Sequence, residues 1–319
     1  MKWSAGLTAI LLMACAAAEA PAQPDATPIA ETTGPAIPLG PPQGSSSEEA
    51  RYTLVCAGAF TQGGVALCRT APGARISVDG VASGVADDHG WAVIGFNREH
   101  GPRARVVASM SDATIGGETV SIDMTQDYAI APRQFDIQRV DGLPPQTVTP
   151  TDPEVLARIR REAALKNEAF TSQAPMAGFL EGFILPVEGT VTGRWGNQRI
   201  LNGVPSTPHF GYDIAAPEGT PIRAPASGVV TLAQPDMHYE GGLVFIDHGQ
   251  GLITMYLHMS RLDVNAGDVV SQGQVIGAVG ARGRATGPHL CWRMRWRGRQ
   301  LDPSVAVDGL ARARNELAQ

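Results

Sequence analysis

From His289 to Arg297 the chain alternates without a break. His289, Cys291, Arg293, Arg295 and Arg297 fall on one parity, and Leu290, Trp292, Met294 and Trp296 on the other. Only an extended strand has a period of two, so this stretch must lie in a sheet with one apolar face and one face carrying polar side chains. Shorter runs of the same kind precede it: Val229–Leu232, Leu243–Asp247, Leu252–His258, Val269–Val270 and Val275–Gly277. Turn formers separate them, namely Gly241-Gly242, His248-Gly249-Gln250-Gly251, Ala266-Gly267-Asp268 and Gln272-Gly273-Gln274. No helix-length segment intervenes, which predicts an antiparallel sheet and not a βαβ arrangement.

The chain has 319 residues, with 37 glycines, 24 prolines and 43% hydrophobic residues, enough for a sizeable core divided among many short strands. Residues 51–148 also read as all-β. Ala74–Val78, Trp91–Phe96 and Arg105–Ala108 alternate between turns such as Asp79-Gly80 and His89-Gly90, which fits a β-sandwich-like domain of immunoglobulin character. Cys56 and Cys68 lie close together there, and in an exported chain a local disulfide is the default. Gly142-Leu143-Pro144-Pro145 closes this domain. Thr151-Asp152-Pro153-Glu154 then combines a capping residue, a proline near the first turn and an acid, and predicts a linker helix within 149–177. The expected fold is therefore mainly β: a sandwich, a linker helix, and a C-terminal sheet domain over 178–310.

The N-terminus reads as a targeting segment. Lys2 precedes an apolar stretch from Trp3 to Ala18, too short for a stable membrane span, within a signal peptide covering 1–20. Leu12-Met13-Ala14-Cys15 resembles a bacterial lipobox, which implies cleavage before Cys15 and its lipidation. Ordinary signal cleavage within Ala16–Ala20 is the other reading, disfavoured by Pro21 after the small-x-small site. Both readings export the protein to the periplasm, and, by the resemblance to bacterial lipoproteins, Ala16 and not an aspartate after a lipidated cysteine implies an outer-membrane anchor. Residues 21–50 are rich in Pro, Ala, Gly, Ser and Thr without apolar periodicity, and read as a disordered tether. The net charge of −6 gives no basic excess that would suit nucleic acid.

The residues that can carry chemistry cluster in the last third. His209 and Asp213 stand four apart, with Pro208 and Gly211 arguing for a loop entering a strand; His258 ends a strand; His289 and Cys291 point to the same side of the alternating strand. Imidazole, carboxylate and thiolate are the donors that zinc takes up, and further histidines are suited to proton transfer. Cys291 is left over once Cys56 and Cys68 pair, so it is either a buried inert thiol or a metal donor. His258 taken alone would be a half-buried, hydrogen-bonded histidine, and Tyr256 two residues before it lines a groove or packs.

The segment His209-Phe210-Gly211-Tyr212-Asp213-Ile214-Ala215-Ala216-Pro217-Glu218-Gly219-Thr220-Pro221-Ile222, followed by Ala224-Pro225-Ala226-Ser227-Gly228-Val229-Val230, resembles the first motif of the lysostaphin/LytM-type zinc metallopeptidases, which cut peptide bonds in bacterial peptidoglycan. The resemblance runs from about Phe183 to Ser304. It implies a duplicated-hybrid-motif-like fold, Zn2+ held by His209, Asp213 and the residue at 291, and catalytic roles for His258 and His289. The family motif at the last site is His-x-His, whereas this chain has His289-Leu290-Cys291, with a cysteine where the third ligand stands. Two functions follow: a zinc endopeptidase acting on peptidoglycan peptide stems, or a degenerate LytM-like wall-binding module that activates another cell-wall hydrolase, such as an amidase or a division partner. Arg194 and Asn202, ahead of the first motif, are loop-surface residues or else substrate contacts, and His238 and His248 are structural or lie at the groove rim.

Overall fold

The computed structural model describes residues 52–142 and 148–319. The signal segment, the lipidated Cys15 and the tether expected over residues 1–50 lie outside the described residues. Within the described part, β1 (Val55–Gly58), β2 (Val65–Arg69), β3 (Arg75–Val78), β4 (Val81–Val85), β5 (Trp91–Gly95), β6 (Arg103–Ile115), β7 (Glu118–Ala129) and β8 (Ile137–Val140) come first. They form two antiparallel sheets, β1-β2-β5 and β4-β3-β6-β7, with β8 set apart. The inner faces meet through Phe60, stacked 4.4 Å from Tyr128 and 5.6 Å from Phe96, so the expected sandwich is present. Cys56 and Cys68 sit directly opposite each other on β1 and β2 and are joined by a disulfide, as their spacing suggested.

The helix Pro153–Ala169 begins where the sequence places it. Asp152 caps it, its carboxylate accepting from the Glu154 N–H over 2.8 Å, and Pro153 fills a position where no N–H is needed. The helix lies along the C-terminal sheet. Glu162 accepts from the His238 N–H, Lys166 pairs with Glu240, and Phe170 just beyond its end packs 4.8 Å from Phe245.

After the helix come β9 (Thr190–Gly193), β10 (Gln198–Leu201), β11 (Val204–Pro205), β12 (Tyr212–Ala215), β13 (Pro221–Arg223), β14 (Gly228–Met237), β15 (Gly241–Asp247) and β16 (Leu252–Met259). These are followed by β17 (Arg261–Leu262), β18 (Val269–Val270), β19 (Val275–Ala278), β20 (His289–Trp296) and β21 (Arg299–Leu301). The main sheet runs β18-β14-β15-β16-β20-β12-β9, antiparallel throughout as expected, with β21 hung on β20. Its two faces follow the alternation of β20. Leu290, Trp292, Met294 and Trp296 enter a large core with Tyr256 and Ile214, while Cys291 joins Leu243, Phe245, Met255 and Leu257 beneath the helix end at Ala169 and Phe170.

Among the named strands, one pairing departs from the antiparallel expectation: β8 runs parallel to β10, with Ile137 against Gln198 and Val140 against Leu201. Pairing between strands so distant in sequence is decided by packing and leaves no local periodic trace. The two β regions also share the large core, which extends from Leu54 and Val93 through Trp292 and Leu301 to Leu310 and Ala313. The helix Gly309–Leu317 closes against β1 and β2. Gly63 shows how tight this junction is, since a β-carbon there would lie 2.4 Å from the Trp195 ring. No helix among the described residues is long and apolar enough to cross a membrane.

Candidate active site

Neighbouring strands bring the donor-type side chains together. β12 pairs with β20 so that Asp213 lies opposite Cys291, and β16 flanks β20 on the other side with Leu257 opposite Cys291. Cys291 is thus central in the sheet, buried and free of any disulfide. His209 precedes β12 in a loop fixed at both ends of its peptide: its N–H donates to the Asn197 carbonyl over 2.8 Å, and its carbonyl accepts from the Gly196 N–H over 2.7 Å. Its Nε2 lies 3.2 Å from Asp213 Oδ1 and 3.5 Å from Cys291 Sγ. One ligand-type atom from each of the three residues lies within 4.8 Å of the other two. Gly211 permits this convergence, because a β-carbon there would stand 2.4 Å from Cys291 Sγ and 2.8 Å from His209 Nε2.

His258 reaches the same place by breaking the strand's alternation. Period two would put it beside Thr254 and Tyr256, whose hydroxyls lie 2.7 Å apart in the buried interior. Instead His258 has φ +66°, a left-handed conformation that costs a non-glycine residue about 1–3 kcal/mol. Its ring turns into the cleft that Leu257 and Cys291 line. The strained peptide is held by the Glu240 carbonyl, which accepts the His258 N–H over 2.7 Å. Tyr256 is a packing residue, fully buried, and burial raises its phenol pKa.

His258 and His289 face each other with ring centroids 4.7 Å apart. His258 Nδ1 lies 2.8 Å from the Arg282 carbonyl and His289 Nδ1 lies 2.8 Å from the Gly287 carbonyl. A carbonyl only accepts, so each Nδ1 carries the proton and each Nε2 of the neutral ring is left as an acceptor. Burial lowers both pKa values, which keeps both rings neutral near pH 7. Burial opposes the charge on Asp213, but His209 beside it, and Arg199 with its Nη2 3.1 Å from Oδ2, more than offset this and hold the carboxyl below its usual range. Asp213 Oδ1 nevertheless has no well-directed hydrogen bond, its near neighbour being His209 Nε2 at 3.2 Å, and His209 Nδ1 is buried without a partner.

All five residues line one cleft of about 380 Å³. Arg199, Arg284, Arg293 and Glu240 share its wall, and β8 contributes Gln138 and Val140. Sequence reasoning missed Arg199, although it stands between Arg194 and Asn202, which do not line the cleft. Its only signal was a place on a short strand whose partner is remote. Arg293 was legible as a same-face neighbour of Cys291 but carried no role. Its Nε donates to Cys291 Sγ over 3.4 Å. Burial works against the Arg293 cation, but Cys291, Glu240 and Asp213 around it raise its pKa. His248 is structural: it is fully buried, with Nδ1 2.9 Å from the Ser227 carbonyl and Nε2 2.7 Å from Thr254 Oγ1. His238, stacked edge-on against Tyr239, does not line the cleft.

Residues 207–303, which span the histidine–aspartate loop and the histidine-bearing strands β16 and β20 of the antiparallel sheet, match the sequence profile of peptidase family M23. Over those residues the match bears out the resemblance drawn from the motifs. It is 46% identical over 100 residues to the DD-carboxypeptidase/endopeptidase Mpg of Neisseria meningitidis serogroup B, a span covering 31% of this chain and 23% of that protein. It is 41% identical over 114 residues to the peptidoglycan DD-endopeptidase ShyA of Vibrio cholerae, covering 35% and 26% respectively. The matched span is about a quarter of the length of these curated relatives. A crystal structure from Pseudomonas aeruginosa described as a peptidase M23 superposes with a TM-score of 0.60 at 29% identity, covering 83% of this chain and 100% of that one. The likeness to that structure therefore extends beyond the residues of the family match.

Proposed function

We propose that this chain is a zinc metalloendopeptidase that hydrolyses peptide crosslinks of bacterial peptidoglycan, with His209, Asp213 and Cys291 as metal donors and His258 and His289 as catalytic residues. The observation that carries the reading is the convergence of three buried donors beside two neutral imidazoles whose Nε2 atoms are free to accept a proton. The donor set fits zinc. With Zn–N about 2.0–2.1 Å and Zn–S about 2.3 Å, donors around a tetrahedral ion stand about 3.3–3.6 Å apart. The His209–Asp213 and His209–Cys291 spacings are 3.2 and 3.5 Å. Asp213 Oδ1 is the orphaned acceptor that a cation would satisfy, and Gly211 keeps the space among the donors open.

Bound there, zinc supplies Lewis-acid polarisation of a scissile carbonyl and activation of a water. The protein's own part is proton handling. Nε2 of His258 or His289 accepts the proton of the attacking water, and the same Nε2–H then returns it to the leaving amine. The Nδ1–H bonds to the Arg282 and Gly287 carbonyls fix each tautomer and aim each ring. A peptide chain lying in the cleft passes Arg199 and Arg284, cations suited to the carboxylates of peptide stems. A non-catalytic activating module has no chemical need for two neutral histidines facing the donors, so the enzymatic reading is preferred.

The test is zinc content of the purified protein measured beside digestion of crosslinked muropeptides. Near-stoichiometric zinc and chelator-sensitive cleavage are expected, with His289→Ala lowering kcat by about 10²–10⁴ while zinc is retained. Full activity of His289→Ala would remove that histidine from the mechanism, and a folded, zinc-free, active protein would sink the metal reading. We also propose export to the periplasm with a lipid anchor at Cys15. Incorporation of labelled fatty acid should be lost in Cys15→Ala, and normal export of an unlabelled parent would instead favour cleavage within Ala16–Ala20. The division into units 51–148, 149–177 and 178–310 is likewise proposed, with the first unit positioning the peptidase sheet.

A further inference from the structure

The arginines in the cleft wall are not placed alike. Arg199 puts Nη2 3.1 Å from Asp213 Oδ2, the oxygen turned away from His209. Arg293 directs Nε at Cys291 Sγ over 3.4 Å, reaching along its own strand to the residue two before it. Each donor that is an anion when it ligates a metal thus has a guanidinium of its own. Arg293 can do this because period two puts it on the face of Cys291, where the helix end at Phe170 closes one side and Glu240 lines the other.

We propose that Cys291 and Arg293 act as one unit, in which Arg293 is a positioning residue that fixes the sulfur toward His209 and Asp213 and offsets the negative charge that a cysteine donor brings. The inference rests on the metal reading above. A ligating thiolate lowers the charge of the site by one unit relative to a neutral imidazole at the same position, and a guanidinium against the sulfur returns it. The choice of arginine also has a geometric reason. Its planar fork gives a directed N–H to the sulfur in a cleft wall that Glu240 shares, whereas a lysine ammonium is a rotating point charge. The arrangement is a second layer of contacts around the donors, and such contacts set ligand orientation and electron donation.

The test is a cycle on the full chain with Zn2+ and Co2+ as probes. Zinc affinity is measured by competition with a chelating dye for the parent, Arg293→Met, Cys291→His and the double variant. Arg293→Met is expected to weaken zinc about 10–100-fold in the parent, and less than about 3-fold in the Cys291→His background, where there is no thiolate charge to offset. In the cobalt-loaded parent, loss of the N–H to sulfur should move the sulfur-to-cobalt charge-transfer band to longer wavelength. A purely structural role for Arg293 would move neither the band nor the difference between backgrounds. Equal losses in both backgrounds, or no loss in the parent, overturn the inference while leaving the metal reading intact. A folded parent that binds no zinc overturns both. If Arg293→Met fails to fold, Arg293→Lys in the two backgrounds carries the same comparison, with a smaller loss expected only where Cys291 is present.

Discussion

The two β regions of this protein handle polar burial in opposite ways. The buried polar residues of the sandwich of β1–β7 are the two hydroxyl residues Thr70 and Ser83, and its core closes with aromatic rings and a disulfide. The peptidase sheet and its flanking loops bury His209, Asp213, Asp247, His248, Thr254, His258 and Asp302. Burying an ionisable group without partners costs several kcal/mol, so the second set divides usefully. Asp247 accepts from Ser172 Oγ and the Ala174 N–H, both over 2.7 Å, and from the Gly249 N–H over 2.9 Å. Asp302 accepts from Ser304 and pairs with Arg133 at 2.9 Å. Those groups are satisfied and belong to the scaffold. Asp213 Oδ1 and His209 Nδ1 are not. Other buried polar atoms are also unpaired, Trp195 Nε1 and Thr231 Oγ1 among them, but those of Asp213 and His209 belong to residues whose ligand-type atoms converge with Cys291, and that combination is the physical mark of a site.

The sharpest way to break this comparison is Gly211→Ala. The β-carbon has no room among the donors, so zinc affinity should fall by about 100-fold or more and cleavage with it, while thermal stability changes much less. Unchanged zinc binding would show that the three donors do not converge on one ion.

A truncation tests whether the two regions are separable. A fragment starting at Thr151 loses β8 from β10 and uncovers Leu301 and Leu310, which are fully buried in the full chain. Each such side chain contributes about 1.5–3 kcal/mol on burial, so the fragment should unfold at distinctly lower urea than the full chain. Equal midpoints would show that the sheet domain stands alone.

The disulfide gives a smaller and more local effect. Replacing both Cys56 and Cys68 by Ala should cost about 3 kcal/mol by the chain-entropy account of a short loop, read by urea unfolding, with zinc content untouched.

A last effect, comparable in size to the disulfide's but confined to low pH, belongs to the peptidase sheet. Burial lowers the His248 pKa to about 4 from the ordinary 6.5. Between those values the unfolded chain binds a proton that the folded one refuses. Stability is therefore full above pH 6.5 and falls as pH drops toward 4, by up to about 3 kcal/mol. His258 and His289 act in the same direction. Urea midpoints between pH 7 and 4 should fall less steeply for His248→Gln than for the parent, and parallel slopes would remove His248 from the balance.

What the sequence determined by itself is whatever depends on neighbours along the chain. Alternation in His289–Arg297 set the strand, its two faces and the shared direction of His289 and Cys291. The turn formers set the antiparallel meander, Asp152-Pro153 set the helix start, and the short run from His209 to Asp213 set the donor loop. Side-chain period and capping are local, so they can be read from one chain. The tertiary structure alone decided the rest. His258 reaches the cleft only because a left-handed residue, held by the Glu240 carbonyl, reverses the face that period two assigns to it. Arg199 meets Asp213 because β8 and β10 pair in parallel across about sixty residues of intervening chain. The single core joining the sandwich to the peptidase sheet arises in the same way. Each of these is a contact between segments distant along the chain, chosen by the free energy of packing the whole molecule.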